Sequence, residues 1–271
     1  MTEHPDIERE VGALLERAGW YRALAGTFGD PRTQSSDGVA ADLARLRPGA
    51  ERAPWAELWR GATRAWRSAE PRPLAAEYSR LFQGQAPCPP RETAYGDGRR
   101  IGGRQAELAD IRGFYEAFGV APAKSAPDLP DHVSTELEFF ALLLLKTAYA
   151  AAEGLEDERQ VTERATGVFL RDHLGRWLAP FRKRLEEHGA ASPYPESARL
   201  VEALIEDECE RLGVFPIPAE GFARSDPTAA SEAFTCPMAR ACVPLGAKTD
   251  LETEARAVMG ASEPAALIRS R

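Results

Sequence analysis

Apolar residues recur at three- and four-residue spacing along almost the whole chain, the period of an α-helix with one buried face. Val11, Leu14, Leu15, Ala18, Tyr21, Leu24, Ala25 and Phe28 form one stripe, stopped by the Gly-Asp-Pro at 29–31. A short second helix is predicted over 37–47. A third is predicted over 54–70, with Trp55, Leu58, Trp59 and Trp66, until Pro71 and Pro73 break it. A fourth runs over 74–84 and is closed by Gly84. Residues 85–103 are too rich in Pro and Gly to be regular and read as a long loop. Helical spacing returns over 104–119, through Leu108, Ile111, Phe114, Tyr115 and Phe118. Further helices are predicted from 129 onward, over 157–188 and over 195–213. Alternating strand patterns and internal repeats are nearly absent, so the predicted class is all-α, a helical bundle.

Two punctuation marks divide this pattern. Prolines 122, 127 and 130 make 121–130 the best hinge or lobe boundary. Past Phe215 the chain turns small, polar and proline-broken. The expected organisation is a helical domain over 1–215, divisible into two lobes at that hinge, and a loosely structured tail over 216–271 with a short helix near 250–260.

Composition narrows the function. The chain has 271 residues, 44% hydrophobic and 28% charged, which suits a soluble globular protein. A net charge of −8 argues against nucleic acid as the main partner and is compatible with a basic partner such as an Arg-rich peptide. The acidic N-terminus lacks a basic region followed by an apolar one, and the longest apolar run, Phe139–Leu145, is too short to span a bilayer. A soluble, cytoplasmic protein without stable membrane insertion is therefore expected. Cys88, Cys209, Cys236 and Cys242 have no disulfide-framework spacing, in keeping with a reducing compartment.

Catalytic signatures are missing. The Gly-rich stretch at 96–103 lacks the flanking strand and Lys-Ser/Thr ending of a phosphate loop. His4, His132, His173 and His188 are not paired at metal-ligand spacing, and Cys236 and Cys242 have no second pair. Glu136 and Glu138 lie two apart on a helix, so they point to different sides. The expectation is a protein that is not an enzyme and holds no cofactor or metal. The less favoured alternatives are a redox or metal-binding protein using the tail cysteines, and a nucleotide-dependent enzyme using the 96–103 loop.

Two stretches stand out. In 77–95, Tyr78, Leu81 and Phe82 share a helix face, and a Pro-rich loop returns to Tyr95. In 129–139, a greasy helix begins with Pro130, Asp131 and His132. Pro130 suits a first turn and Asp131 suits the helix dipole. His132 is disfavoured there in its charged form unless a carboxylate compensates. First-turn polar groups are expected near solvent, placing Asp131 and His132 at a mouth above Leu137, Phe140, Ala141 and Leu144.

Together these stretches resemble the TorD/DmsD/NarJ family of molybdoenzyme maturation chaperones. The matching residues are Glu77-Tyr78-Ser79-Arg80-Leu81-Phe82, then Pro89-Pro90-Arg91-Glu92-Thr93-Ala94-Tyr95, then Pro130-Asp131-His132 with Glu136, Leu137 and Phe139. The run Phe169–Phe181 is similar to a third family segment. The matches fall in family order over about residues 8–213. Thr93-Ala94 departs from the family's Ser-Val, and the tail has no counterpart.

The resemblance implies an all-helical chaperone fold. It also implies a partner: the N-terminal, twin-arginine-type signal peptide of a molybdopterin oxidoreductase precursor, held until the cofactor is loaded. A NarJ-like variant would serve a subunit that is not exported. The implied binding residues are Tyr78, Phe82 and Tyr95 as apolar walls, Asp131 and Glu136 as guanidinium partners, and His132 on the rim. On spacing alone, Tyr78 and Phe82 read as helix packing, Asp131 as a dipole partner and His132 as a boundary histidine. His173 and Trp177 are assigned to packing, Trp55, Trp59 and Trp66 to core, and 205–210 to a solvated acidic helix face. A monomer or a dimer exchanging segments across the 121–130 hinge is compatible with the pattern.

Overall fold

The computed structural model describes residues 4–46, 53–95, 103–120, 129–188 and 192–219. The chain divides into two units, Met1–Arg224 and Ser225–Arg271, and only the first contains described residues. The tail with Cys236 and Cys242, the helix expected near 250–260, residues 96–102 and most of the 121–130 hinge lie outside them.

The described residues are helical: α1 His4–Gly26, α2 Ser36–Arg45, α3 Ala56–Arg67, α4 Pro71–Phe82, α5 Gly103–Ala117, α6 Val133–Ala152, α7 Glu156–Phe169, α8 Gly175–Glu187 and α9 Pro193–Leu212. Among them there is no strand, only an isolated antiparallel bridge between Arg91 and His132. The all-α reading holds. One local expectation is corrected: Pro71 and Pro73 do not merely break α3 but open α4, because the first helical turn needs no N–H from them.

Helix α6 is the centre of the first unit. Its run Phe139–Leu145 is apolar all round, which only a helix covered on several sides can afford. It packs antiparallel to α1: Ser134 Oγ donates to Ala25 O at 2.9 Å, and Tyr21 meets Phe140 edge-on with ring centroids 4.6 Å apart. The predicted stripe of α1 supplies the other wall, with Tyr21, Leu24, Ala25 and Phe28 all buried. Each such large side chain, fully buried, stabilises by roughly 1.5–3 kcal/mol. Trp59 and Trp66 are core, as expected, each with its indole N–H satisfied, by Leu43 O and Ser197 Oγ, both at 2.9 Å.

The acidic face expected at 205–210 is only half solvated. Glu206, Asp207 and Glu210 are exposed, but Ile205 and Glu208 are buried. Glu208 ion-pairs with both Arg17 of α1 and Arg211 of α9. Burial, then the neighbouring Arg17, pushes the Arg211 guanidinium down to about 10.

Between α7 and α8 the helix widens into a π turn, Leu170–Leu174, and the Gly175 N–H reaches back to Leu170 O. The extra residue rotates α8 away from the path that a continuous α-helix would take. Gly175 is required here: a Cβ would sit 2.6 Å from Leu170 O and 2.6 Å from Pro216 Cγ. Pro216 belongs to the segment after α9, tied down by Arg176 Nε donating to Ile217 O at 3.1 Å and Ala219 N–H donating to Arg176 O at 2.9 Å. Gly175→Ala is expected to cost about 1–3 kcal/mol, the usual range for overpacking, read as a lower urea midpoint with an unchanged slope.

Candidate functional site

The two stretches singled out in the sequence meet. Helix α4 ends at Phe82 with Gln83 extended after it, not at Gly84, which follows at φ +67°, a conformation that favours glycine. The chain then folds back, Cys88 N–H donating to Leu81 O at 3.1 Å. Burial raises the Cys88 thiol to about 11, so it stays protonated at neutral pH. The following residues lie along the start of α6: Val133 N–H donates to Pro90 O at 3.0 Å, and Glu92 N–H to Asp131 O at 2.9 Å. A short turn over Glu92–Ala94 brings Tyr95 onto Trp177 of α8, stacked at 5.5 Å and 25°.

Polar side chains converge beneath this crossing. Thr93 Oγ1 donates to Asp131 Oδ2 at 2.6 Å, and Trp177 Nε1 to Glu136 Oε2 at 3.0 Å. Tyr115 Oη donates to Pro130 O at 2.6 Å. His173, on the π turn, places Nδ1 3.1 and 3.2 Å from the two carboxyl oxygens of Glu92, and acts as donor whenever Glu92 is ionised. Its Nε2 lies 3.5 Å from Asp110 Oδ2. Glu92, Asp131, Glu136 and His173 are all at most 2% exposed. Asp131 Oδ1 and Glu136 Oε1 are buried with no hydrogen-bond partner among the described residues.

Electrostatics follow from that crowding. Burial, then the charge of Glu92, pushes the Glu136 carboxyl well above the usual carboxylate range. The Trp177 hydrogen bond opposes the shift, and Asp131 and Glu107 add to it. Tyr115 is raised by burial, then by Glu136, Glu92 and Asp131.

The sequence-predicted residues are therefore brought together, but not as the open mouth expected. Asp131 and His132 are buried rather than near solvent, because 90–95 lies over the first turn of α6. His132 caps that helix, its Nδ1 accepting the Ser134 N–H at 3.2 Å. Tyr78 and Phe82 wall no open trough: Phe82 meets Tyr194 of α9 edge-on at 4.9 Å, Tyr78 meets Phe82 at 5.2 Å, and Phe82 lies 6.3 Å from Phe181. The chain of rings Tyr95, Trp177, Phe181, Phe82 joins them to the polar cluster. The open cleft nearby, about 750 Å³, is lined by Ala69, Leu74, Glu77 and Pro193 among others, and includes none of Asp131, His132 and Glu136.

His173 and Trp177, assigned to packing, do pack among aromatic rings, and each also makes a polar contact, to Glu92 and to Glu136; Glu92 was not singled out as a site residue. The available signal was physical: a histidine and an indole on an apolar helix face need polar partners once buried. The described residues hold no group of three or more side chains placed to ligate a metal. No helix among them is long and apolar enough to cross a membrane.

Residues 47–183 match the model of a family described as nitrate reductase delta subunit. The chlorate reductase assembly chaperone protein of Ideonella dechloratans is 34% identical over 143 residues, covering 53% of this chain and 72% of that protein. The selenate reductase assembly chaperone protein of Thauera selenatis is 36% identical over 143 residues, 52% of this chain and 70% of that one. The perchlorate reductase assembly chaperone protein of Dechloromonas aromatica (strain RCB) is 27% identical over 131 residues, 48% and 58%. All three are named as chaperones, not enzymes. With its matching segments folded onto one another at the Arg91–His132 bridge, the chain belongs to the nitrate reductase delta subunit family, the TorD/DmsD/NarJ group that those segments resemble.

Proposed function

We propose that the protein is a cytoplasmic assembly chaperone for a molybdopterin-dependent oxidoreductase. It binds the client's N-terminal leader, basic and then apolar, of the twin-arginine type, and holds the apoenzyme until its cofactor is loaded and export can proceed. The observation that carries this reading is the crossing at Arg91–His132. There, buried carboxyl groups with unpaired oxygens, on Asp131 and Glu136, lie beside a run of aromatic rings. Unpaired acids suit guanidinium groups, and rings suit an apolar segment. The names of the three relatives support the assembly role, each for its own reductase.

Titration calorimetry with a synthetic leader peptide tests the reading. Saturable binding is expected. Asp131→Asn keeps an acceptor for Thr93 and removes the charge, so it is expected to weaken binding about ten-fold or more. Replacing the peptide's Arg-Arg by Ala-Ala is expected to do the same. A wild-type protein that does not bind, or an Asp131→Asn variant that binds equally well, overturns the reading.

A second reading, which the resemblance to the NarJ-like branch implies, has a client that is not exported. Affinity capture followed by sequencing of the client's N-terminus separates the two, since only an exported client carries the Arg-Arg leader.

A further inference from the structure

We infer that residues 85–94 form a strap that closes the leader site in the free protein, held by the Glu92–His173 and Thr93–Asp131 contacts, and that a guanidinium reaches Asp131 and Glu136 only when the strap lifts. This rests on the reading that the leader binds at these acids.

The first argument is accessibility. Asp131 is 1% exposed and Glu136 0%, yet each buries a carboxyl oxygen that nothing hydrogen-bonds among the described residues. An unsatisfied buried carboxyl oxygen is costly, and a fold keeps one only where something else offsets it. A cationic ligand would satisfy both oxygens, but it has no path to them while Thr93 sits on Asp131 and Glu92 N–H bonds to Asp131 O.

The second argument is how the strap is fastened. It is seated on the body by the buried Cys88 and Pro90, and its other links are single polar contacts: Cys88 N–H to Leu81 O, Val133 N–H to Pro90 O, Glu92 N–H to Asp131 O, Thr93 Oγ1 to Asp131, Glu92 to His173, and Arg184 Nε to Pro87 O at 2.6 Å. Pro87, Pro89 and Pro90 fix their own backbone angles and stiffen the segment, so it moves as a piece. Gly84, in the left-handed region, is a ready pivot at one end, and Tyr95, stacked on Trp177, anchors the other.

The third argument is the latch. Glu92 reaches past the start of α6 to His173, whose ring is turned inward at the π turn and flanked by Phe114 and Phe169, each at 5.3 Å. That contact fastens the strap to the π turn, away from the start of α6 that Asp131 precedes. Loosening it frees the strap and leaves Asp131 and Glu136 in place, and removing the Glu92 charge also eases ionisation of Glu136.

Closure subtracts from apparent affinity, because only the open fraction binds. The test pairs calorimetry with residue-level amide exchange by NMR, using full-length protein and a synthetic peptide carrying Arg-Arg followed by an apolar run. Glu92→Gln, which keeps the side-chain volume and weakens the latch, is expected to bind the peptide about ten-fold tighter than wild type. Its Glu92-position and Val133 amides are expected to exchange faster. In the wild type the same two amides are expected to exchange faster with the peptide bound than without it, a readout that stands even if the variant does not fold. Unchanged or weaker binding by a folded Glu92→Gln variant overturns the strap, and so does protection of those amides by the peptide. If the wild type binds and Asp131→Asn weakens it while either of those results is found, the strap fails and the leader site stands. Absence of wild-type binding removes both.

Discussion

Trp177→Ala is expected to bring the protein close to unfolding. The indole is fully buried, stacks on Tyr95, packs on Phe181 at 5.5 Å and donates to Glu136. Truncating a buried tryptophan to alanine costs about 3–5 kcal/mol in lost contacts and cavity. The lost N–H leaves Glu136 with neither oxygen hydrogen-bonded, a further ~1–3 kcal/mol. The sum is comparable with the whole stability of an ordinary domain, about 5–15 kcal/mol. Trp177→Phe restores a ring but no donor, so its loss is expected to stay within about 1–3 kcal/mol. Urea denaturation followed by circular dichroism measures both. An alanine variant within about 1 kcal/mol of wild type would mean that the ring chain is not a structural spine.

The second large effect depends on pH and has the opposite sign. Glu136 is fully buried, and its folded pKa is raised well above the ordinary value of 4.5. The folded state therefore favours the protonated form. The stability this group contributes is complete below its unfolded pKa and is lost as pH rises toward its folded one. Glu136→Gln keeps an acceptor for Trp177 Nε1 and removes the titration. At about pH 4 the two proteins are expected to have similar stability. At about pH 8 the variant is expected to be the more stable of the two, since each pH unit between the unfolded and folded pKa is worth roughly 1.4 kcal/mol. Parallel stability curves across that range would show that Glu136 does not carry this load. In the proposed function, the same chemistry is what a guanidinium beside Glu136 would relieve.

Most of the fold is legible in the chain because helical period is a local property. The α1 stripe ending at Phe28, the tryptophans of α3 and the greasy run of α6 each announce their buried face within a few turns. The opening of α4 at Pro71 was harder, because the same residue both stops one helix and starts the next. The site was legible in part: the stretches that meet at Arg91–His132 were both marked, but not their covering. Burial of Asp131 depends on Thr93, far along the chain, and the partner of His173 is Glu92, 81 residues away. No periodicity encodes such pairings. The inward turn of His173 rests on a π turn that needs Gly175 to fit beneath Pro216, a contact between segments with nothing in common but their meeting place.

Joining Arg91 to His132 also closes a ring of chain that contains α5 and begins and ends at the same spot. The entropy of closing such a ring changes slowly with its circumference, by about 0.6 kcal/mol for each doubling. The length of chain between the knot and α5 can therefore change at little entropic cost, while α5 is held by the buried Ile111 and Tyr115 and the knot holds the acids in register. A scaffold built this way separates what must stay constant from what can drift, so one lineage can suit different clients without rebuilding its centre.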